Sequence, residues 1–135
     1  MIRRSRAREV ALQLLFQHDF NSTVPRELLE RFIHERLANR ELERFCLRLY
    51  DGVLANLEQI DQGLARAAEN WRLPRMAAVD RNVLRLGAQE LLSKESPPGV
   101  VINEAIELAR RFGSANSPGF VNGVLDRFRR SLSTP

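Results

Sequence analysis

Apolar residues recur at three- and four-residue steps along almost the whole chain, and no stretch alternates apolar and polar residues for long. The first pattern is typical of amphipathic α-helices and the second of β-strands. Turn residues divide the pattern into helices that we expect at about residues 3–18, 25–37, 41–68, 77–94, 98–113 and from 117 onward. With 135 residues, 44% of them hydrophobic, the sequence predicts an all-α fold, a compact bundle of six to seven helices.

Bulk composition excludes several classes of protein. No run of 18 apolar residues is present, so we expect no membrane span. The basic N-terminus leads into an amphipathic segment, which argues against a secretory signal. The single cysteine, Cys46, permits no internal disulfide and lacks the clustered partners of a zinc site. We therefore expect a cytoplasmic protein in which residues 1–135 form one domain.

Catalysis has little support in the sequence. The two histidines, His18 and His34, lie in separate segments, and no glycine-rich phosphate loop of the Walker type is present. The carboxylates are scattered over predicted helix surfaces, as on any solvated helix. We expect no catalytic residues, no cofactor and no bound metal, and predict that the protein is not an enzyme.

Positive charge is concentrated at the N-terminus. The chain has 21 basic and 17 acidic residues, and four of the basic residues lie within the first eight positions without an acid among them. Without these four the chain is balanced, 17 against 17. Such a local excess favours binding to phosphate groups. The predicted phosphate-binding arm consists of Arg3, Arg4, Arg6 and Arg8.

The polar face of the first helix adds an aromatic ring to this arm. At about 100° per residue, Arg6, Glu9, Gln13 and Phe16 lie opposite the apolar stripe. An aromatic side chain beside an arginine and an amide is typical of proteins that stack and read RNA bases. The alternative is that Phe16 packs against a neighbouring helix, as most large apolar residues do.

The connection between the last two helices is a second candidate site. We expect Gly113 to cap the preceding helix and Ser117 to cap the following one. A helix N-terminus presents unpaired N–H groups that suit phosphates or polar base edges. The side chains that this connection offers to RNA are those of Phe112, Ser114, Asn116 and Phe120. Ordinary capping by Ser117 does not exclude binding.

Three stretches of sequence resemble the NusB-type transcription antitermination factors. The first is the arginine-rich opening around residues 4–13, and the second is Val79-Asp80-Arg81 with the apolar positions that follow. The third and most specific is residues 101–126, which contain Asn103-Glu104-Ala105 and Phe120-Val121-Asn122-Gly123-Val124-Leu125-Asp126. The resemblance covers nearly the whole chain and is weakest between about residues 19 and 39.

The resemblance implies an all-α fold of two small helical subdomains that binds a boxA-type, single-stranded RNA element in nascent ribosomal RNA transcripts. It further implies a small-subunit ribosomal protein, acting as NusE, as partner, and a complex that joins elongating RNA polymerase and suppresses premature termination. The arginine arm and the connection around residues 112–120 would then form the RNA surface. The exposed side of the fourth predicted helix would face the ribosomal protein through Asp80, Arg81 and Glu90.

Two positions depart from the family pattern as the resemblance presents it. Many relatives have lysine where this chain has Gly99 and Gly119, in the turns that precede the last two helices. The missing cation at Gly119 implies one phosphate contact fewer. RNA affinity is then expected to depend more strongly on the arginine arm.

The sequence is also compatible with other functions. NusB-like domains also occur at the N-terminus of RNA cytosine methyltransferases, although 135 residues starting at Met1 leave no room for a cofactor domain. A helical adaptor or a homodimer with solubilising arginines is a further alternative. Salt dependence separates these roles, because affinity for phosphates falls steeply as salt rises.

Overall fold

The computed structural model of the protein describes residues 3–69 and 72–133. Within these ranges the chain forms seven α-helices and no strand, which confirms the predicted all-α bundle. A single 3-10 turn, Leu73–Arg75, precedes the fifth helix. The helices are α1 (Arg4–Phe20), α2 (Arg26–Leu37), α3 (Arg40–Ala55), α4 (Leu57–Ala67), α5 (Ala78–Ser93), α6 (Pro98–Phe112) and α7 (Ser117–Leu132).

The helices pack in two groups that share α5. The first group consists of α1, α2 and α3, and the second consists of α4, α6 and α7 around α5. α5 also contacts α1 and α3, so that it joins the two groups. A continuous cluster of buried apolar side chains runs through both, with Phe45 and Ile33 in the first and Leu84 and Leu125 in the second. The position of α5 therefore fixes how the two groups meet.

The long helix predicted over residues 41–68 is broken at Asn56. The backbone there has φ −110° and ψ 18°, outside the helical range, so that α3 ends at Ala55 and α4 begins at Leu57. The Asn56 amide donates a hydrogen bond to Gln89 Oε1 of α5 at 3.0 Å. Asparagine side chains compete with helical backbone bonding, and this tertiary contact favours the break. The prediction of one continuous helix was wrong.

The other predicted helices match the observed ones to within about two residues, the usual uncertainty of helix ends. In α1 the predicted apolar stripe of Ala7, Val10, Ala11, Leu14 and Leu15 is buried as expected. In α2, however, Leu28 was expected to be buried and is half exposed. It lines an open depression together with residues of the connection between α1 and α2.

Gly63 of α4 allows the close approach of α7. A β-carbon at this position would lie only 2.6 Å from the ring of Phe128, which is itself buried. We predict that Gly63→Ala lowers the free energy of unfolding by about 1–3 kcal/mol, since the ring has no free space to move into. The control is Gly99→Ala, where no atom lies within 4 Å of the added carbon. Urea denaturation of both variants measures the difference, and equal stabilities would contradict the prediction.

Candidate nucleic-acid interface

A shallow depression between α1, α5 and α6 brings together three of the predicted RNA-binding residues. Its volume is about 280 Å³, and Gln13, Phe16 and Phe112 line it together with Leu12 and Val79. Phe16 and Phe112 are 37% and 40% exposed, so that each ring is neither fully packed nor fully free. Helical spacing places Gln13 beside Phe16 on α1. This aromatic depression has the apolar rings and the amide that base stacking requires.

A second depression lies at the connection between α6 and α7. It has a volume of about 290 Å³ and contains Ser114, Asn116 and Phe120, the other predicted RNA-binding residues of this connection. The remaining lining residues are Arg75, Met76, Ala77, Asp80 and Ser117. Residues that are close in sequence line the two depressions, Val79 and Phe112 the first and Asp80 and Ser114 the second. We call this second depression the turn depression.

The connection is held by a hydrogen bond within the turn. Ser117 Oγ accepts a hydrogen bond from the Ser114 N–H at 2.9 Å, and Ser117 is 99% buried. Gly113 occupies the C-cap of α6 as predicted. The prediction that Ser117 caps α7 was wrong by one residue, because α7 begins at Ser117 and Asn116 holds the cap position. The Asn116 side chain makes no capping bond and is exposed to solvent.

The N-terminal arginines do not form one cluster. Arg3 is exposed and precedes α1. Arg4 pairs with Glu95 at 3.5 Å and lies over the Phe45 ring, which places it toward α3. Arg6 points to another side of α1, the side that carries Gln13. Arg3, Arg4 and Arg6 therefore reach solvent at different places around the start of α1.

Arg8 and Glu90 form a buried ion pair between α1 and α5. Arg8 Nε and Nη2 donate to the two carboxylate oxygens of Glu90 at 2.7 and 2.9 Å, and both side chains are 3% exposed. Arg8 also contacts Glu104 of α6 at 3.2 Å. The expectation that Glu90 lies on the exposed side of its helix was wrong. Arg8 is likewise not placed to reach a phosphate, because both charges are satisfied inside the bundle.

Asp80 and Arg81 have different surroundings, although they are neighbours in α5. Arg81 donates to the carbonyl oxygens of Leu73 and Met76 and pairs with Asp19 at 3.3 Å, so that it fastens the segment before α5. Asp80 is half-buried in the turn depression, and its Oδ1 is buried without a hydrogen-bond partner in the described part of the chain. Asp80 was expected to lie away from the RNA surface. It instead adjoins the predicted RNA-binding turn.

Cys46 and His18, two side chains of types that often take part in catalysis, have structural surroundings here. Burial raises the pKa of the Cys46 thiol to about 12, so that it stays protonated and unreactive. The His18 ring contacts the Tyr50 hydroxyl at 3.3 Å. Among residues 3–69 and 72–133, no three His, Cys, Asp or Glu side chains are placed to hold a metal ion. Within the same ranges, no helix has the length and apolar character needed to cross a membrane.

Arg75 and Val79 line the candidate interface but were not identified as site residues from the sequence. Arg75 follows a proline in the connection before α5 and lines the turn depression. The apolar pattern predicts Val79 only as a core residue, whereas it is partly exposed and lines the aromatic depression. No periodicity in the sequence distinguishes such an edge position from the core.

We predict that Glu90→Gln lowers the free energy of unfolding by about 3 kcal/mol, because it leaves the buried Arg8 charge without its main partner. Glu107→Gln is the control. It removes a carboxylate whose partner, Arg110, is 60% exposed, and such pairs contribute at most about 1 kcal/mol. Thermal and urea denaturation measure both. A Glu90→Gln protein as stable as the control would show that the pair does not hold α1 to α5.

Comparison with known proteins places these features in a family. The sequence matches the NusB family over residues 5–130. It is 44% identical over 130 residues to the transcription antitermination protein NusB of Sorangium cellulosum (strain So ce56), covering 96% of this chain and 93% of that protein.

Solved structures agree with the sequence comparison. The structure of T. maritima NusB has a TM-score of 0.84 and 40% identity, with 96% of this chain and 92% of that chain covered. A complex of the antitermination factors NusB and NusE with double-stranded RNA has a TM-score of 0.85 and 28% identity, with 97% and 99% covered. The match to the family includes the arginine-rich opening from residue 5 onward, the α5 segment and the α6–α7 connection. The chain belongs to the NusB family.

Proposed function

We propose that this chain is a transcription antitermination factor that binds boxA-type RNA in nascent ribosomal RNA transcripts. It does so together with a small-subunit ribosomal protein that acts as NusE, and the complex promotes processive elongation by RNA polymerase. The observation that carries the proposal is the pair of depressions, which gathers half-exposed aromatic rings and exposed polar side chains. The similar solved complex of NusB, NusE and RNA supports the same function.

In the proposed RNA surface, different side chains contact the bases and the phosphates. Phe16 and Phe112 provide rings for stacking, and Gln13 provides an amide that both donates and accepts hydrogen bonds. Ser114, Asn116 and Phe120 extend the surface across the turn depression. Cationic side chains near these groups contact the phosphates, which set affinity and orientation, whereas the amides read base edges.

The proposed partner surface begins at Asp80. A carboxylate oxygen that is buried without a hydrogen bond is costly, since its lost hydration is not replaced. A donor from a partner protein would satisfy it. An arginine or lysine side chain of a ribosomal protein has the required charge, whereas RNA phosphates would be repelled. Asp80 therefore favours a basic protein over RNA at this edge.

A titration decides the proposed function. Wild-type protein is titrated with a labelled boxA RNA and with a scrambled RNA of equal length, each as a single strand and as a duplex, with and without the ribosomal protein. We expect tighter binding to boxA than to the scrambled sequence, and a further increase with the partner. Equal, salt-independent affinities would instead favour a helical protein adaptor.

Two sedimentation experiments test the other parts of the proposal. Sedimentation of the free chain identifies a homodimer, and co-sedimentation with the elongation complex tests the link to RNA polymerase.

Restoring a cation at Gly119 tests where the phosphates lie. Gly119 and Gly99 are both exposed in first helical turns, and nothing lies within 4 Å of a β-carbon at either position. We predict that Gly119→Lys tightens RNA binding and steepens the slope of log K against log salt by roughly 0.7 on a single strand, the value of one added phosphate contact. Gly99→Lys adds the same charge at the start of α6, away from the turn depression. Identical slopes for the two variants would contradict the assignment of the turn depression to RNA.

Neutralising Asp80 distinguishes binding of the protein partner from binding of RNA. Asp80→Asn keeps the shape of the side chain but removes the charge that a basic partner would contact. We predict weaker assembly with the ribosomal protein and unchanged or tighter RNA binding by the isolated chain, because a negative charge beside the turn is lost. The control is Asp126→Asn on α7, whose carboxylate pairs with Arg130. Unaltered assembly of the Asp80 variant would place the partner surface elsewhere.

A further inference from the structure

A carboxylate at the edge of the aromatic depression holds two arginines from different helices. Glu9 Oε1 lies 3.0 Å from Arg6 Nη1 and accepts a hydrogen bond from Arg111 Nη2 at 3.2 Å. Arg111 Nη1 donates to the other carboxylate oxygen at 3.3 Å. Glu9 is only 9% exposed, although its spacing in α1 predicts a fully polar face. We call these three residues the Glu9 cluster.

The Glu9 cluster leaves one positive charge in excess and many donors unused. A guanidinium has five N–H groups. Arg111 directs two of them to Glu9, whereas Arg6 meets the same carboxylate as an ion pair. The side chains of Arg6 and Arg111 are 38% and 48% exposed, so that their remaining donors face solvent. The cluster therefore presents two oriented guanidiniums side by side, rather than a closed ion pair.

The position of the Glu9 cluster relates it to the aromatic depression. The Arg111 guanidinium lies over the Phe112 ring, 4.8 Å from its centre, and Phe112 lines that depression. On α1, Glu9, Gln13 and Phe16 are spaced by four and three residues and therefore share one face. The two guanidiniums thus border the rings on which bases are proposed to stack.

We propose that Glu9 is a positioning residue for RNA binding, which holds Arg6 and Arg111 as a pair of phosphate-binding guanidiniums beside the aromatic depression. The inference rests on the proposed function and adds Arg111 as an RNA contact. Two arginines this close would repel each other and sample many rotamers without a shared carboxylate. Glu9 orders both before the RNA arrives, which lowers the entropy lost on binding.

Charge alone predicts the opposite effect for a neutral residue at position 9. A carboxylate near phosphates repels them, so that Glu9→Gln should tighten binding if the local charge were all that mattered. If Glu9 positions the arginines, the same substitution weakens binding, although the net charge rises. The sign of the change therefore distinguishes a positioning role from a simple electrostatic one.

The test compares RNA affinity and its salt dependence in the full chain, with a boxA RNA as probe and circular dichroism as the control for folding. Arg111→Ala is expected to lower the salt slope by roughly 0.7, the loss of one phosphate contact on a single strand. Arg110→Ala, the matched control, removes the same charge from a side chain that pairs with Glu107, and leaves the slope unchanged. Glu9→Gln is expected to weaken binding about two- to fivefold, the range of one exposed charged contact. In an Arg111→Ala background its effect should be smaller.

Each outcome has a separate meaning. A wild-type chain that binds no RNA overturns the proposed function and this inference with it. If the wild-type chain binds but Arg111→Ala and Arg110→Ala behave alike, only the assignment of Arg111 is overturned. Tighter binding by Glu9→Gln overturns the positioning role of Glu9, whatever the arginine variants show.

Discussion

The buried ion pair between Arg8 and Glu90 is the constraint on which the rest of the structure depends. Removing two charges from water costs several kcal/mol each, and only a well-formed pair with additional hydrogen bonds recovers that cost. Here the geometry is bidentate, and Glu104 and Ser96 satisfy remaining donors of Arg8. Any shift of α1 along α5 would separate these groups inside the bundle. The pair therefore fixes the register of the two helices more than it adds to their stability.

The candidate interface follows from this register. Phe16 lies on α1 beyond Arg8, and Val79 lies near the start of α5, before Glu90. Because both helices are rigid between these points, the distance between the ring and the start of α5 is determined by the ion pair. Glu104 of α6 contacts the same arginine, Arg8, and also accepts a hydrogen bond from Ser5, so that α6 is tied to α1 beside the ion pair. Helices that are distant in sequence thus bring their polar edges together without a flexible loop.

The sequence predicted the helices well because their apolar stripes repeat over several turns, and this signal survives small errors at the ends. It failed at Asn56, where a single contact with Gln89 decides whether the helix continues. Phe16 was predicted from its position on the polar face of the first helix and Phe112 from its place at the connection of the last two helices, and the structure places both in one depression. Arg8 and Glu90 were misplaced, because a charged residue in a helix is exposed unless a distant partner compensates it. Such partners are set by tertiary packing, and helical periodicity contains no information about them.

The closeness of Asp80 to the predicted RNA-binding turn has a consequence for assembly. An unpaired carboxylate beside Ser114 and Asn116 disfavours phosphates in the free chain. A basic group from the proposed ribosomal-protein partner would neutralise this charge and at the same time satisfy the buried oxygen. RNA would then meet a less negative surface in the assembled pair than in the chain alone. Because such coupling is reciprocal in free energy, bound RNA would raise the affinity of the chain for the protein partner by the same factor. With both proposed surfaces occupied, this carboxylate at their boundary would thus favour binding of RNA and protein together over binding of either alone.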